Sequence, residues 1–135
     1  MNTGATSKIN LALEWVISQI NEMGNFANIT RGALGSANGL VCDIAPTNPE
    51  SVFLDKNAYI PMTVTINGKH TNLMTLTDAL NNIVDNLSRR KVYSSGDGWE
   101  IVDITVALFP RIIGREANNA WVMASEIQIK LYRKD

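Results

Sequence analysis

Residues able to carry out chemistry are few and scattered in this chain of 135 amino acids. His70 is its only histidine, so a Ser-His-Asp or Cys-His system would have to use it. It stands in Gly68-Lys69-His70-Thr71-Asn72, a polar stretch without a nucleophile signature, and reads as a solvated loop histidine. Cys42 is the only cysteine and lies in an apolar run. Reactive thiols need electropositive, partly exposed surroundings, so Cys42 reads as a small buried hydrophobe. A zinc site needs more Cys and His ligands than the chain has. Gly32, Gly35 and Gly39 are not followed by Lys and Ser or Thr, and open no helix in a G-x-G-x-x-G pattern, so no phosphate loop is expected. Asp97 and Glu100 flank a turn and could meet a cation, but a solvated turn explains them. The sequence therefore predicts no catalytic, cofactor-binding or metal-binding residue, and no enzyme.

Binding chemistry is better represented. Arg89, Arg90 and Lys91 could receive an anion, but they close a predicted helix, where cations oppose the negative end of the helix dipole. The stretch from Pro110 to Glu116 is different. Ile112 and Ile113 are adjacent apolar residues in a polar setting, flanked by Arg111 and Arg115. Arginine around a central apolar anchor is what protein interfaces favour. Arg111, Ile112, Ile113, Arg115 and Glu116 form the candidate protein interface. The competing reading is that the two isoleucines fold back onto their own sheet.

These residues must be held by regular elements. Residues 99–109 and 120–132 have the alternation of strands. In the second run Trp121, Met123, Ser125, Ile127, Ile129 and Leu131 share one face. In the first, Val102, Ile104, Val106 and Leu108 share one. The two runs predict an antiparallel pair, with residues 110–119 as a long, extended tip loop. Upstream, Thr6 or Ser7 can cap a helix ending near Met23-Gly24, with Ile9, Leu13, Val16, Ile20 and Met23 on its apolar stripe. Leu11 and Trp15 lie off that stripe and suit either a wider core face or a neighbouring subunit. Residues 29–31, 40–44, 51–54 and 59–66 read as strands. Asn67-Gly68 is a strong turn signal. Thr75 and Asp78 match a capping box for a helix running to about Arg90, with Leu76, Leu80, Ile83, Val84 and Leu87 buried. The order predicts one α+β domain over residues 1–135: an antiparallel or mixed sheet with a long C-terminal β-hairpin and two main helices on one face.

Bulk properties narrow the function. A chain of this length buries roughly two thirds of its unfolded surface and needs no disulfide. A formal net charge of −1 argues against binding DNA by phosphate neutralisation. No apolar run approaches the ~20 residues that span a bilayer. Neither a membrane partner nor a secretory leader is expected, and the single cysteine suits a reducing, cytosolic compartment.

Several stretches together resemble a known family. They are Met62 to His70, a helix ending at Asn86-Leu87-Ser88-Arg89, Gly98-Trp99-Glu100-Ile101, Phe109 to Glu116, Trp121, and the last strand from Ser125 to Tyr132. In order and spacing this resembles bacteriophage minor capsid proteins of the tail-terminator, or tail-to-head joining, kind found in long-tailed phages. The likeness spans roughly residues 58–133. It implies an α+β subunit that assembles with its own copies into a ring, typically a hexamer, at the head-proximal end of the tail tube. The implied partners are the tail tube protein and a head-completion or neck protein. DNA would pass through such a ring without sequence-specific recognition. The implied location is the virion tail or neck, assembled in the host bacterial cytoplasm. From the residues alone, a small regulatory or ligand-binding α+β domain acting as a dimer is the other reading.

Overall fold

The computed structural model describes residues 5–45, 59–90, 93, 95–96 and 99–133. Along the chain these form α1 (Ala5–Asn21), β1 (Ile29–Arg31), β2 (Gly39–Ala45), β3 (Tyr59–His70), α2 (Leu73–Ser88), β4 (Ser95–Gly96), β5 (Trp99–Arg115) and β6 (Trp121–Arg133). The strands make one mixed sheet in the order β1-β2-β3-β6-β5-β4. β1 runs parallel to β2, and every other neighbouring pair is antiparallel. This is the α+β domain expected, with the long C-terminal strand pair β5–β6. The expected strand at residues 51–54 lies outside the described residues, as do Lys91 and Asp97.

Both helices pack on one face of the sheet. Ala12, Leu13, Val16 and Ile20 of α1 share a core with Leu76, Leu80, Ile83, Val84 and Leu87 of α2. The sheet answers with Leu40 and Cys42 of β2, Met62, Val64 and Ile66 of β3, and alternate residues of β6. Each fully buried Leu, Ile or Met stabilises the fold by about 1.5–3 kcal/mol through surface removed from water. Leu11 remains substantially exposed, whereas Trp15 packs on the core margin. Its ring meets Tyr93 edge-on and carries the Arg90 guanidinium above it. Arg90 thus joins the end of α2 to α1 rather than waiting for an anion, and Arg89 pairs with Asp85 at 2.7 Å. The Tyr93 hydroxyl donates to the Leu87 carbonyl, and burial, with Asp103 adding to it, pushes its pKa upward.

The helix ends differ from expectation in instructive ways. α1 already includes Thr6 and Ser7 within the helix, so neither heads it. It closes at Asn21, and Gly24 follows with φ +74°. Asn21 also accepts the Ile29 N–H at 2.7 Å, tying the helix end to β1. α2 is capped by Asn72, whose Oδ1 accepts the Thr75 N–H at 3.1 Å, so Thr75 sits inside the helix instead of heading it. An Asn one turn earlier satisfies the same free amide that the expected Thr cap would have served.

The largest local correction is at Asn67-Gly68. These residues are not a turn but continue β3 to His70, paired on both sides with Val41 and Leu40 of β2 and with Ala124 and Met123 of β6. The glycine serves close packing. A Cβ there would lie 2.6 Å from Leu76 Cδ1 and 3.0 Å from Leu40 Cδ2. Gly68 therefore lets α2 approach the strand, a second reason for glycine within a sheet.

Candidate protein interface at the end of the hairpin

β6 keeps the expected alternation: Met123, Ser125, Ile127, Ile129 and Leu131 are all buried on the helix side. The one polar member, Ser125, donates to the Ile66 carbonyl at 2.8 Å and so is satisfied. β5 does not keep a single alternation. Its register against β6 shifts between Ile101 and Asp103, between Val106 and Leu108, between Leu108 and Arg111, and between Ile112 and Gly114. Each extra residue exchanges the two faces beyond it. Ile101, Ile104 and Val106 consequently face the helices, while Val102 is exposed. The expected common face of Val102, Ile104, Val106 and Leu108 is split by these bulges.

The tip is not a ten-residue loop. β5 continues through Pro110 to Arg115, and a short turn at residues 116–120 leads into β6. Proline is tolerated because it falls within a bulged part of a strand that has β6 on one side only there. The turn is closed by hydrogen bonds from Glu116 N–H to Ala120 O at 2.8 Å and from Asn119 N–H to Glu116 O at 2.9 Å. Asn119 takes φ +69°, a conformation its short side chain tolerates. Asn118 Oδ1 accepts the Ala120 N–H at 3.1 Å.

The five candidate residues divide into two groups. Arg111 is exposed and lies in register with Ala124, on the sheet face away from the helices. Ile112 and Ile113 are 50% and 53% exposed, so they do not fold back into the core. Arg115 and Glu116 are held by their own chain. The Arg115 guanidinium stacks over the Trp121 ring, 4.5 Å from its centre. Glu116 pairs at 2.7 Å with Lys69, which is only 3% exposed and also donates to the Gly35 carbonyl. The first three residues are thus available for contact, and the last two fix the tip they stand on.

The structure adds a residue that sequence reading missed. Phe109 is 72% exposed. In sequence it ends a strand on the face opposite Val102, Ile104, Val106 and Leu108, and nothing local marks it as a contact residue. Leu108 is also exposed. With Ile112 and Ile113 these give four large apolar side chains in solvent along one strand end. Leu108, in register with Glu126, and Ile112, in register with Met123, stand on opposite faces, so together these residues make an exposed apolar edge rather than a single patch.

The other candidates for chemistry have structural roles. His70 Nδ1 accepts the Asn72 N–H at 2.9 Å, and its ring meets Phe26 edge-on at 4.7 Å. It is half-buried at the end of β3 rather than solvated in a loop, and it shapes the entry to α2. Cys42 is buried, and that burial pushes its thiol pKa up to about 11, with Asp43 adding to the shift. Asp43 accepts the Ile44 N–H at 2.8 Å and Arg31 Nε at 3.0 Å, which hold its carboxyl below the usual range. Among the described residues no group of three or more His, Cys, Asp or Glu side chains is placed to hold a metal ion. No helix among them is long and apolar enough to cross a membrane. Set against models of known protein families and against curated proteins, the chain matches none.

Proposed function

We propose that this protein is a structural virion subunit of a long-tailed bacteriophage, a tail terminator whose ring caps the tail tube and joins it to the head or neck. One observation carries the reading: Arg111, Ile112 and Ile113 stand exposed on a hairpin end whose turn is pinned by Glu116 and Lys69. A ring subunit needs a stiff exposed contact surface, and it needs no active site. The resemblance of residues 58–133 to tail-terminator proteins supplies the kind of ring and its partners, the tube protein and a neck protein. The ring, a hexamer in that family, has a central opening for DNA, and its place is the virion tail or neck.

The test is light scattering coupled to size-exclusion chromatography, followed by negative-stain imaging, alone and with purified tail tubes. Rings in solution, or protein density capping tube ends, support the reading. A tight dimer at every concentration, with tube ends left bare, supports the small dimeric binding domain instead.

A further inference from the structure

We propose that the surface receiving the hairpin end is a groove on a second copy of this chain, between α2 and the outer side of β5. The inference rests on the ring reading and names the contact that would build the ring. The groove has an apolar floor from Val106 and Phe109, and Asp78, Asn82, Asp85 and Ser88 of α2, with Arg89 just beyond it, form its wall. Asp85 already has a basic neighbour in Arg89. Asp78 is exposed and has no ion-pair partner among the described residues. The groove thus combines an apolar floor with a wall whose two aspartates are met by one arginine, leaving a net negative charge.

The hairpin end has the complementary chemistry: Ile112 and Ile113 for the floor, and Arg111 for the acidic wall. Arg111 cannot serve its own groove. It lies in register with Ala124, on the sheet face opposite the one that α2 covers. A second copy has no such restriction. Beyond the pairing of Trp99 and Glu100 with β4, β5 has no strand on its outer side among the described residues. Its backbone N–H and C=O groups there can pair with an extended segment, and residues 110–115 are already extended. A contact between two different surfaces of identical chains is head-to-tail, and repetition closes into a ring when the rotation allows.

The test uses two variants of the full chain, each altered at exposed positions and checked for folding by circular dichroism. One carries Arg111→Glu and Ile113→Asp and spoils the tip. The other carries Asp78→Asn and Asp85→Asn, which removes the groove's negative charge without creating a cation that the altered tip could pair with. Each alone should lose self-association by a factor on the order of thirty or more. Mixed together they should form a one-to-one heterodimer and nothing larger, since only one good tip and one good groove remain. Cysteine cross-linking gives a second readout, because buried Cys42 stays silent. Arg111→Cys combined with Asn82→Cys should yield a ladder of linked multimers, and Arg111→Cys alone should not yield dimers.

A mixture that stays monomeric, or efficient dimers from Arg111→Cys alone, overturns the contact. So does a wild-type chain that remains monomeric at about 1 mM. If the wild type still caps tail tubes in any of those cases, the terminator reading stands and only the groove is wrong. If the two variants pair as expected but the wild type ignores tube ends, the contact stands and the terminator reading falls.

Discussion

The two halves of the β5–β6 hairpin are built from similar residues and meet opposite fates. In the first half, Trp99, Ile101 and Ile104 are buried beneath the helices. In the second, Leu108, Phe109, Ile112 and Ile113 are in solvent. Cover by the helix layer explains the difference. β5 uses 17 residues against the 13 of β6, the extra ones bulged, and beyond Glu100 it is the open edge of the sheet among the described residues. Beside Ile112, Met123 of β6 is buried and meets Thr77 near the start of α2. The helix layer there reaches β6 and leaves the bulged edge of β5 in solvent. Apolar side chains become core only where a second layer reaches them.

The exposed half is still well anchored. Lys69 belongs to the central strand β3, and it reaches Glu116 at the tip and the backbone at Gly35. A buried ammonium needs such partners, because an unpaired one is strongly unfavourable. The pair therefore links the position of the tip to the sheet, while Arg111, Ile112 and Ile113 remain outside.

Substitutions can break this comparison or sharpen it. Ile104→Ala, in the covered half, should lower stability by about 2–5 kcal/mol in a urea titration. An effect under about 0.5 kcal/mol would mean that the base of the hairpin is not core. Gly68→Val tests the same half from the helix side. The added carbons meet Leu76 and Leu40, and overpacking should lower stability by about 1–3 kcal/mol. A neutral result would show that α2 can move away freely. Glu116→Ala probes the link between the halves and should lose about 1–3 kcal/mol, as Lys69 keeps only its carbonyl partner. It should also speed hydrogen exchange at Asn119 and Ala120, and unchanged exchange there would remove Glu116 from the anchoring role. Ile112→Asp with Ile113→Asp should change stability least, within about 0.5 kcal/mol, while weakening assembly. Unfolding of that double variant would place the isoleucines in the core and overturn the interface.

How much could be read without the structure follows the range of each signal. The stripes of α1 and α2 were legible, because helical spacing needs only neighbouring residues. The single face of β6 was legible for the same reason, since no bulge interrupts its pairing with β3. The apolar surroundings of Cys42 were enough to foresee its burial. The candidate interface was legible in composition at Arg111, Ile112 and Ile113. Its division from Arg115 and Glu116 was not, because Trp121 and Lys69 reach them through the fold. Phe109 was missed because its exposure depends on where the helix layer and the register shifts of β5 fall, which a window of local sequence does not show.

By itself the sequence determined which segments are helical and which face of each helix and of β6 is apolar. These follow from local spacing and side-chain type. Only the tertiary structure decided that Asn67-Gly68 stays in a strand, that β5 runs through Pro110 to Arg115, and that Lys69 is buried at the foot of the tip. In each case the decisive partner is distant in sequence: β2 and β6 for Gly68, β6 for Pro110, and Glu116 for Lys69. Backbone pairing with those partners outweighs local turn preferences, because a strand held on either side satisfies amides that a turn would leave to water.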